Sequence, residues 1–457
     1  MPENYTLRSL FETDGVFWIP ELPKQKLSAH LSAGRNGLIF SRAATVEATE
    51  KFLTSTNPVP RILLGDTMLG RCTLLGFHES GTKQNLNLAT GQVLSAPRFR
   101  VDACILGVHL ADPSGPSLGS ATYTYGGLQN WLPPNSTISF TDAGISISYP
   151  KKTLPLLNFC VLREKAEFTL KVASNLRHSP SGTHSGGSEP NIVIEPSDPR
   201  SLDWVFDTAV RLENFFSLLL GTSVRLRSVQ IKTTGDESGW FIRRDRGKIE
   251  KPDPEARIKC DGSQLATAIS IWLSTPEEFR PLEALVYGAI RNSSMFLETE
   301  FLSLAQALES FHRLTSDATL VESSTFQQIC QRILLTIASV CVDPTLKQRL
   351  EQSIQFANEP SFRDRVVSLI HRIQTAHAEE LLGNPVEFEQ TLRQARNFFT
   401  HLGIRKGSRV PTEVKDLFPL VQKLHSFLRI LMLLSLDFPE DVAFPAVMYQ
   451  KRRWMIE

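Results

Sequence analysis

The sequence predicts an α+β protein, with a β-rich, sandwich-like N-terminal region over residues 1–275 and an all-α helical bundle over 280–457. Three observations carry that reading. Up to about residue 200, short apolar runs are separated by Gly, Pro, Asn and Ser, the pattern of strands and turns. After about residue 280, apolar residues recur three and four apart, the period of helices with one buried face. The 457 residues, 41% of them hydrophobic, suffice for two or three domains with cores of their own.

In the first region the strand candidates are NGLIFSRAATV, PRILLGDTML, RCTLLGFHES, VDACILGVHL, STISFT and GISISYP. In EKAEFTLKVAS, Phe168, Leu170 and Val172 alternate with Glu167, Thr169 and Lys171, as in a half-buried strand. The Ser-, Gly- and His-rich segment 174–191 has no period and predicts an exposed loop. Leu202, Phe206, Val210, Phe215 and Leu219 approximate a helical stripe over 201–221, with Gly221 as its C-cap before the strand-like VRLRSVQIK. The charged stretch 243–257 predicts a further loop.

In the second region Leu297, Phe301, Leu304, Leu308 and Phe311 form a heptad-like face. Further helices are predicted at 324–341, 345–357, 360–378, 386–402 and 414–436. Their breaks fall at Asp343-Pro344, Glu359-Pro360, Gly383-Asn384-Pro385 and Gly403, where the chain cannot continue a helix cheaply.

Forty-nine basic residues stand against 48 acidic ones, so no global field draws a polyanion and any such partner must be held by a local patch. The most apolar run, Leu424 to Leu436, is interrupted by His425, Ser426 and Arg429, and the N-terminus lacks a cationic start and apolar middle. The expectation is a cytoplasmic protein without membrane partners. Six cysteines show no CxxC and no Cys/His spacing of a metal site, so buried free thiols are favoured over ligands or nucleophiles, for instance in VDACILGV and LNFCVL.

No Walker loop, GxGxxG, HExxH or EF-hand pattern is present, and GPSLG at 115–119 reads as a surface turn because Pro116 precedes Ser117 and strand-like residues follow it. The strongest constellation is RQARNFFTHLG at 393–403, with Arg396, Asn397 and His401. Arg-to-His spacing alone is weak: 32 arginines and 10 histidines give about two matches by chance, and Arg71/His78, Arg177/His184, Arg365/His371 and Arg372/His377 also fit loosely. Helical geometry separates them. Phe388, Leu392, Ala395, Phe399 and Leu402 make one apolar stripe, while Asn397 and His401 project together from the opposite face and Arg396 lies on the flank. By contrast, His371 sits among Val367, Ile370 and Ile373, which suits packing or a surface role. The bland alternative for 396–401 is a solvated polar face with a His favoured by the helix dipole.

The RNxxxH pattern near the end of a C-terminal bundle, preceded by ETEFLSLAQALESFHR at 298–313, resembles the ApeA-like HEPN family (higher eukaryotes and prokaryotes nucleotide-binding). GVFWIPELP, ILLGDTMLGRCTLLG, GLQNW and SLDWVFDTAVRLENFFSLLLG are similar to the N-terminal domain paired with it. The resemblance implies a metal-independent endoribonuclease of abortive-infection anti-phage defence, acting on structured RNA such as tRNA, with no cofactor and no metal. It also implies a homodimer through the helical domain whose two R-x(4–6)-H motifs line a composite cleft, and a phage-derived trigger. Carried onto this chain, Arg396 would stabilise the scissile phosphate, His401 would move protons and Asn397 would position a phosphate or ribose hydroxyl. Arg393, Arg405, Lys406 and Arg409 would steer the polyanion, although such charges are also ordinary solvated groups. The alternative within this resemblance is a non-catalytic HEPN module that only dimerises or binds nucleotides. A less favoured one is a β-sandwich ligand-binding protein with a helical oligomerisation domain.

Overall fold

The computed structural model describes residues 6, 9–34, 37–41, 62–87, 92–128, 137–141, 144–148, 154–161, 165–178, 184–243, 257–291, 295–341, 343–401, 410–411 and 413–454. The chain divides into two compact units, Met1–Ser274 and Thr275–Glu457.

In the first unit, β1 (Phe11–Trp18), β2 (Leu27–Gly34), β3 (Gly37–Ser41), β4 (Ile62–Thr67), β5 (Gly70–Asn87) and β6 (Gln92–Leu106) close into an antiparallel barrel. Closure is possible because β6 is long. One of its edges pairs with β5, while the other pairs first with β3 (Leu38 opposite Val101) and then with β14 (Ser238–Arg243; Trp240 opposite Leu106). From β14 the sheet continues open through β13 (Arg225–Thr233), β7 (Leu118–Gly126), β12 (His184–Pro196), β11 (Ala166–His178) and β10 (Leu154–Val161), and β8 (Thr137–Thr141) and β9 (Gly144–Ser148) form a separate hairpin. Thus the strand-rich region is a barrel continuous with an open sheet. Gly107 marks the handover: its φ is +108°, and a Cβ there would run into the Ser238 carbonyl.

Phe17, Leu31, Phe40, Leu63, Cys72, Leu74 and Val101 fill the barrel core, with the Phe17 and Phe40 rings edge to face at 5.0 Å. Cys72 and Cys104 are buried there as expected, and burial pushes the Cys104 thiol well above its usual range. Cys160 is exposed, against expectation, because the two-residue period of β10 turns it away from the face that buries Val161.

The expected loop at 174–191 is also corrected. β11 and β12 pair in continuous register out to His178 opposite His184, so Ser- and Gly-rich composition conceals a long hairpin whose backbone hydrogen bonds do not need apolar side chains. Of the charged stretch 243–257, residues 244–256 lie outside the described residues.

Helix α1 (Leu202–Leu220) begins at Ser201, which caps the Trp204 amide, and ends at Gly221 in the left-handed conformation, φ 65°. It lies on the sheet: Tyr123 and Tyr125 donate their hydroxyls to the Val205 and Ala209 carbonyls at 3.0 and 2.9 Å. The expected stripe fails at Val210, which is 49% exposed. The helix is held instead by polar as well as apolar contacts, since Glu213 accepts from the Leu226 amide at 2.8 Å and Ser217 from the Val224 amide at 3.0 Å. Helix α2 (Gly262–Ser274) is not among the expected elements, although Asp261 and Gln264 form a reciprocal capping pair readable as D-x-x-Q.

The second unit contains α3 (Arg280–Arg291), α4 (Leu297–Thr315), α5 (Ser323–Val340), α6 (Pro344–Gln355), α7 (Phe362–Ile370), α8 (Thr375–Leu382), α9 (Pro385–His401), α10 (Val414–Ser435) and α11 (Glu440–Trp454). The single helix expected at 360–378 is two, because the Gln374 amide at the start of α8 donates to Glu440 of α11 at 3.0 Å and pins a turn there. Helix α10 has the length and apolar character of a membrane span, yet most of it is buried in this unit as a core helix. Phe427, Leu428, Ile430, Leu431, Met432 and Leu433 all lie in that core, so most of the apolar run 427–436 packs within the chain.

Candidate functional site

Helix α9 starts where Asn384 accepts from the Val386 and Glu387 amides at 3.0 and 3.2 Å and Pro385 opens the first turn. Phe388, Leu392 and Ala395 are buried, with Phe388 edge to face with Phe427 at 6.0 Å. Phe399 reaches Phe301 of α4 at 5.7 Å. These contacts fix the rotation of α9 and leave Asn397 and His401 exposed, one turn apart, at its C-terminal end. Leu402, Arg405, Lys406 and Arg409 lie outside the described residues.

Arg396 is half-buried and held on three sides. One nitrogen donates to Glu309 Oε2 at 3.4 Å, another to Asn397 Oδ1 at 3.5 Å, and the guanidinium lies over the Phe362 ring at 5.2 Å. None of its described contacts runs to His401. Arg393 donates to the buried Glu389 at 2.8 Å, so its charge first neutralises a carboxylate of its own helix.

Glu309 is visible in the sequence only as part of a distinctive helix. It is 14% exposed and also takes Arg313, one turn on, at 3.2 Å. Arg313 in turn bonds Glu359 at 2.6 Å, Glu359 takes Arg365 at 2.9 Å, and Arg365 approaches His312 Nδ1 at 3.3 Å. Burial, then the charges of Arg365, Arg372 and Arg313, lower the His312 pKa and favour its neutral form. Alternating Arg and Glu side chains thus tie Arg396 to α4 and α7.

The competing Arg/His pairs are placed differently. Arg365 is buried in this network while His371 caps α7 and is exposed. Arg372 donates to Thr315 Oγ1 at 2.7 Å, and His377 bonds Glu440 at 2.6 Å while stacking on Phe444 at 3.9 Å. Among the described residues no group of three or more His, Cys, Asp or Glu side chains could hold a metal ion. Ser117 directly precedes β7, so a strand and not a helix follows it, which is a turn and not a nucleophile elbow.

Two family models match the chain: ApeA N-terminal domain 1 over residues 12–258, and Apea-like HEPN over 302–442. The chain belongs to the ApeA-like HEPN family. No curated protein and no solved structure matches it. The first match spans the barrel, the open sheet and α1, and the second runs from α4 into α11, so the whole Glu309–Arg396–His401 region of this ApeA-like protein falls inside its HEPN unit. HEPN domains are associated with ribonuclease activity, and the ApeA-like type with anti-phage defence.

Proposed function

We propose that this ApeA-like protein is an endoribonuclease of abortive-infection defence that cuts structured RNA, such as tRNA, at the RNxxxH site of its HEPN unit. The observation that carries the reading is that Asn397 and His401 stand exposed at the C-terminal end of α9 while Arg396, adjacent, touches Glu309 and Phe362.

RNA carries its own nucleophile. Cleavage needs removal of the 2′-hydroxyl proton as its oxygen attacks phosphorus, a cation that offsets charge on the phosphorane, and a proton delivered to the departing 5′-oxygen, roles that imidazole, as base and then acid, and guanidinium match in kind. His401 serves as the proton-transfer group and Arg396 as the phosphate ligand, with Asn397 positioning a phosphate or ribose oxygen. The Arg396–Glu309 pair is loose, at 3.4 Å, so an incoming phosphate competes with the carboxylate for the same guanidinium. Arg405, Lys406 and Arg409 supply the local positive field that the near-neutral chain lacks overall. Incubating the purified protein and its His401→Ala variant with total cellular RNA, then mapping cut ends, tests the reading; cuts made equally by both would refute it.

One observation favours a second reading. Arg396 is turned to Glu309 with no described contact to His401, the arrangement of a non-catalytic HEPN module in which the pair merely holds α4 against α9. In that case neither protein cuts RNA and Arg396→Ala only lowers the melting temperature.

A further inference from the structure

Glu309 and Phe362 hold the Arg396 guanidinium in chemically different ways, and the difference decides which of them stays when a phosphate arrives. Glu309 Oε2 accepts a hydrogen bond at 3.4 Å, and Asn397 Oδ1 another at 3.5 Å. A phosphate needs the same kind of donor, so it displaces the carboxylate from the guanidinium. The Phe362 ring lies 5.2 Å from the guanidinium carbon, attracts the charge through its π face and offers no oxygen. That contact does not compete with a phosphate. The Arg396 side chain is 30% exposed, so it stays reachable from solvent with the ring in place.

The position of the ring is set locally. Phe362 is the first residue of α7, directly after Ser361, and Ser361 and Asp364 bond each other's amides at 3.3 and 3.2 Å in a capping box that fixes this turn. Val366 and Leu369, four and seven residues on, are buried, so Phe362 is the half-buried outer end of the row that packs α7 into the unit. Arg365 anchors the same turn through Glu359 and His312. At the end of such a row packing asks only for a large apolar side chain, which leucine also supplies. What an aromatic ring adds is a face that attracts a cation.

We propose that Phe362 is a positioning residue: its ring keeps the Arg396 guanidinium in place once the substrate phosphate has taken over the donors that Glu309 engages in the free protein. This rests on the ribonuclease reading of the RNxxxH motif. Phe362 touches no reacting atom and acts through Arg396. The phosphorane concentrates more charge than the ground-state phosphodiester, so an aligned cation matters most in the transition state, and the ring acts on kcat more than on KM.

The test compares full-length wild type with Phe362→Leu and Phe362→Tyr on an RNA that the wild type cuts. Phe362→Leu is expected to lower kcat about 5- to 30-fold, the worth of a partly desolvated cation–π contact, with KM within about twofold and an unchanged circular-dichroism melt. Phe362→Tyr, which keeps the π face, should restore the rate. In an Arg396→Ala background Phe362→Leu should cost nothing further, because the residue it positions is gone. An unchanged kcat in Phe362→Leu, an equal loss in Phe362→Tyr, or a full further loss in the Arg396→Ala background would overturn the proposal. A second readout needs no cleavage. The Arg396 Nε–H resonance, identified as the one missing from Arg396→Ala, should lie upfield under the ring current of Phe362 and move downfield in Phe362→Leu; a resonance that stays put would overturn the proposal by itself. A wild type that cuts no RNA while this resonance shifts as expected sinks the ribonuclease reading and leaves the hold of the ring on Arg396 standing.

Discussion

Two stretches of the HEPN unit carry a similar spacing of arginine to histidine and use it in opposite ways. In 365–377 both arginines are engaged by the fold: Arg365 lies buried between Glu359 and His312, and Arg372 is bonded to Thr315. His377 is likewise consumed, by Glu440 and Phe444. In 396–401, Arg396 is half-buried and loosely paired, and Asn397 and His401 are exposed. Spacing alone does not distinguish structure from chemistry; what distinguishes them is whether neighbouring elements already satisfy the polar ends.

The largest test of that contrast is a crossed pair of substitutions. His401→Ala should lower RNA cleavage by about 10²–10⁴-fold, the usual worth of a general acid–base group, with no change in the melting temperature. His377→Ala should do the reverse, lowering the melt while the folded protein keeps its rate. If both variants lose activity only through unfolding, the contrast is empty. Arg396→Ala should cost about 10²–10³-fold in rate, comparable to removing a donor to a developing oxyanion, and kinetics on a defined RNA would show it.

Arg365→Ala sharpens the structural side. It strips Glu359 and His312 of a buried partner and should destabilise the HEPN unit by about 2 kcal/mol in a denaturant titration, the loss being tempered because Glu359 is partly exposed. An unchanged midpoint would contradict the role given to the Arg–Glu network.

The smallest effect is in pH. Because His312 has a folded-state pKa below its unfolded value of about 6.5, the unfolded chain binds more protons as pH falls through that value. Stability should therefore be full above about pH 6.5 and decline as pH falls from there towards the folded pKa, and His312→Gln should flatten that part of the curve. An identical slope in the variant would assign the effect to other groups.

Much of this architecture is legible in the amino-acid sequence. The helix breaks at Asp343-Pro344 and Gly383-Asn384-Pro385 are readable because capping and proline chemistry are local. Barrel closure is not, since it depends on which stretch of β6 meets β3 and which meets β14, a pairing that no short window contains. Residues 427–436 are legible as apolar but not as core or interface, because a helix apolar on all sides looks the same in both. Conversely, the exposed stripe of α5 has ordinary amphipathic spacing, and only the burial pattern shows that the chain leaves it uncovered. At the candidate site the spacing of Arg396, Asn397 and His401 is plain, whereas the partner that orients Arg396 sits 87 residues away in Glu309.

The most direct test of the claim that the exposed motif is the reactive one uses a single RNA made twice, with and without one 2′-deoxy substitution at the mapped cut site, incubated in EDTA. The account predicts that the all-ribose strand is cut to a 2′,3′-cyclic phosphate and a 5′-hydroxyl while the substituted strand stays intact, because His401 has no 2′-proton to remove. Equal cutting of the substituted strand, or 5′-phosphate ends that form only when metal is restored, would contradict it.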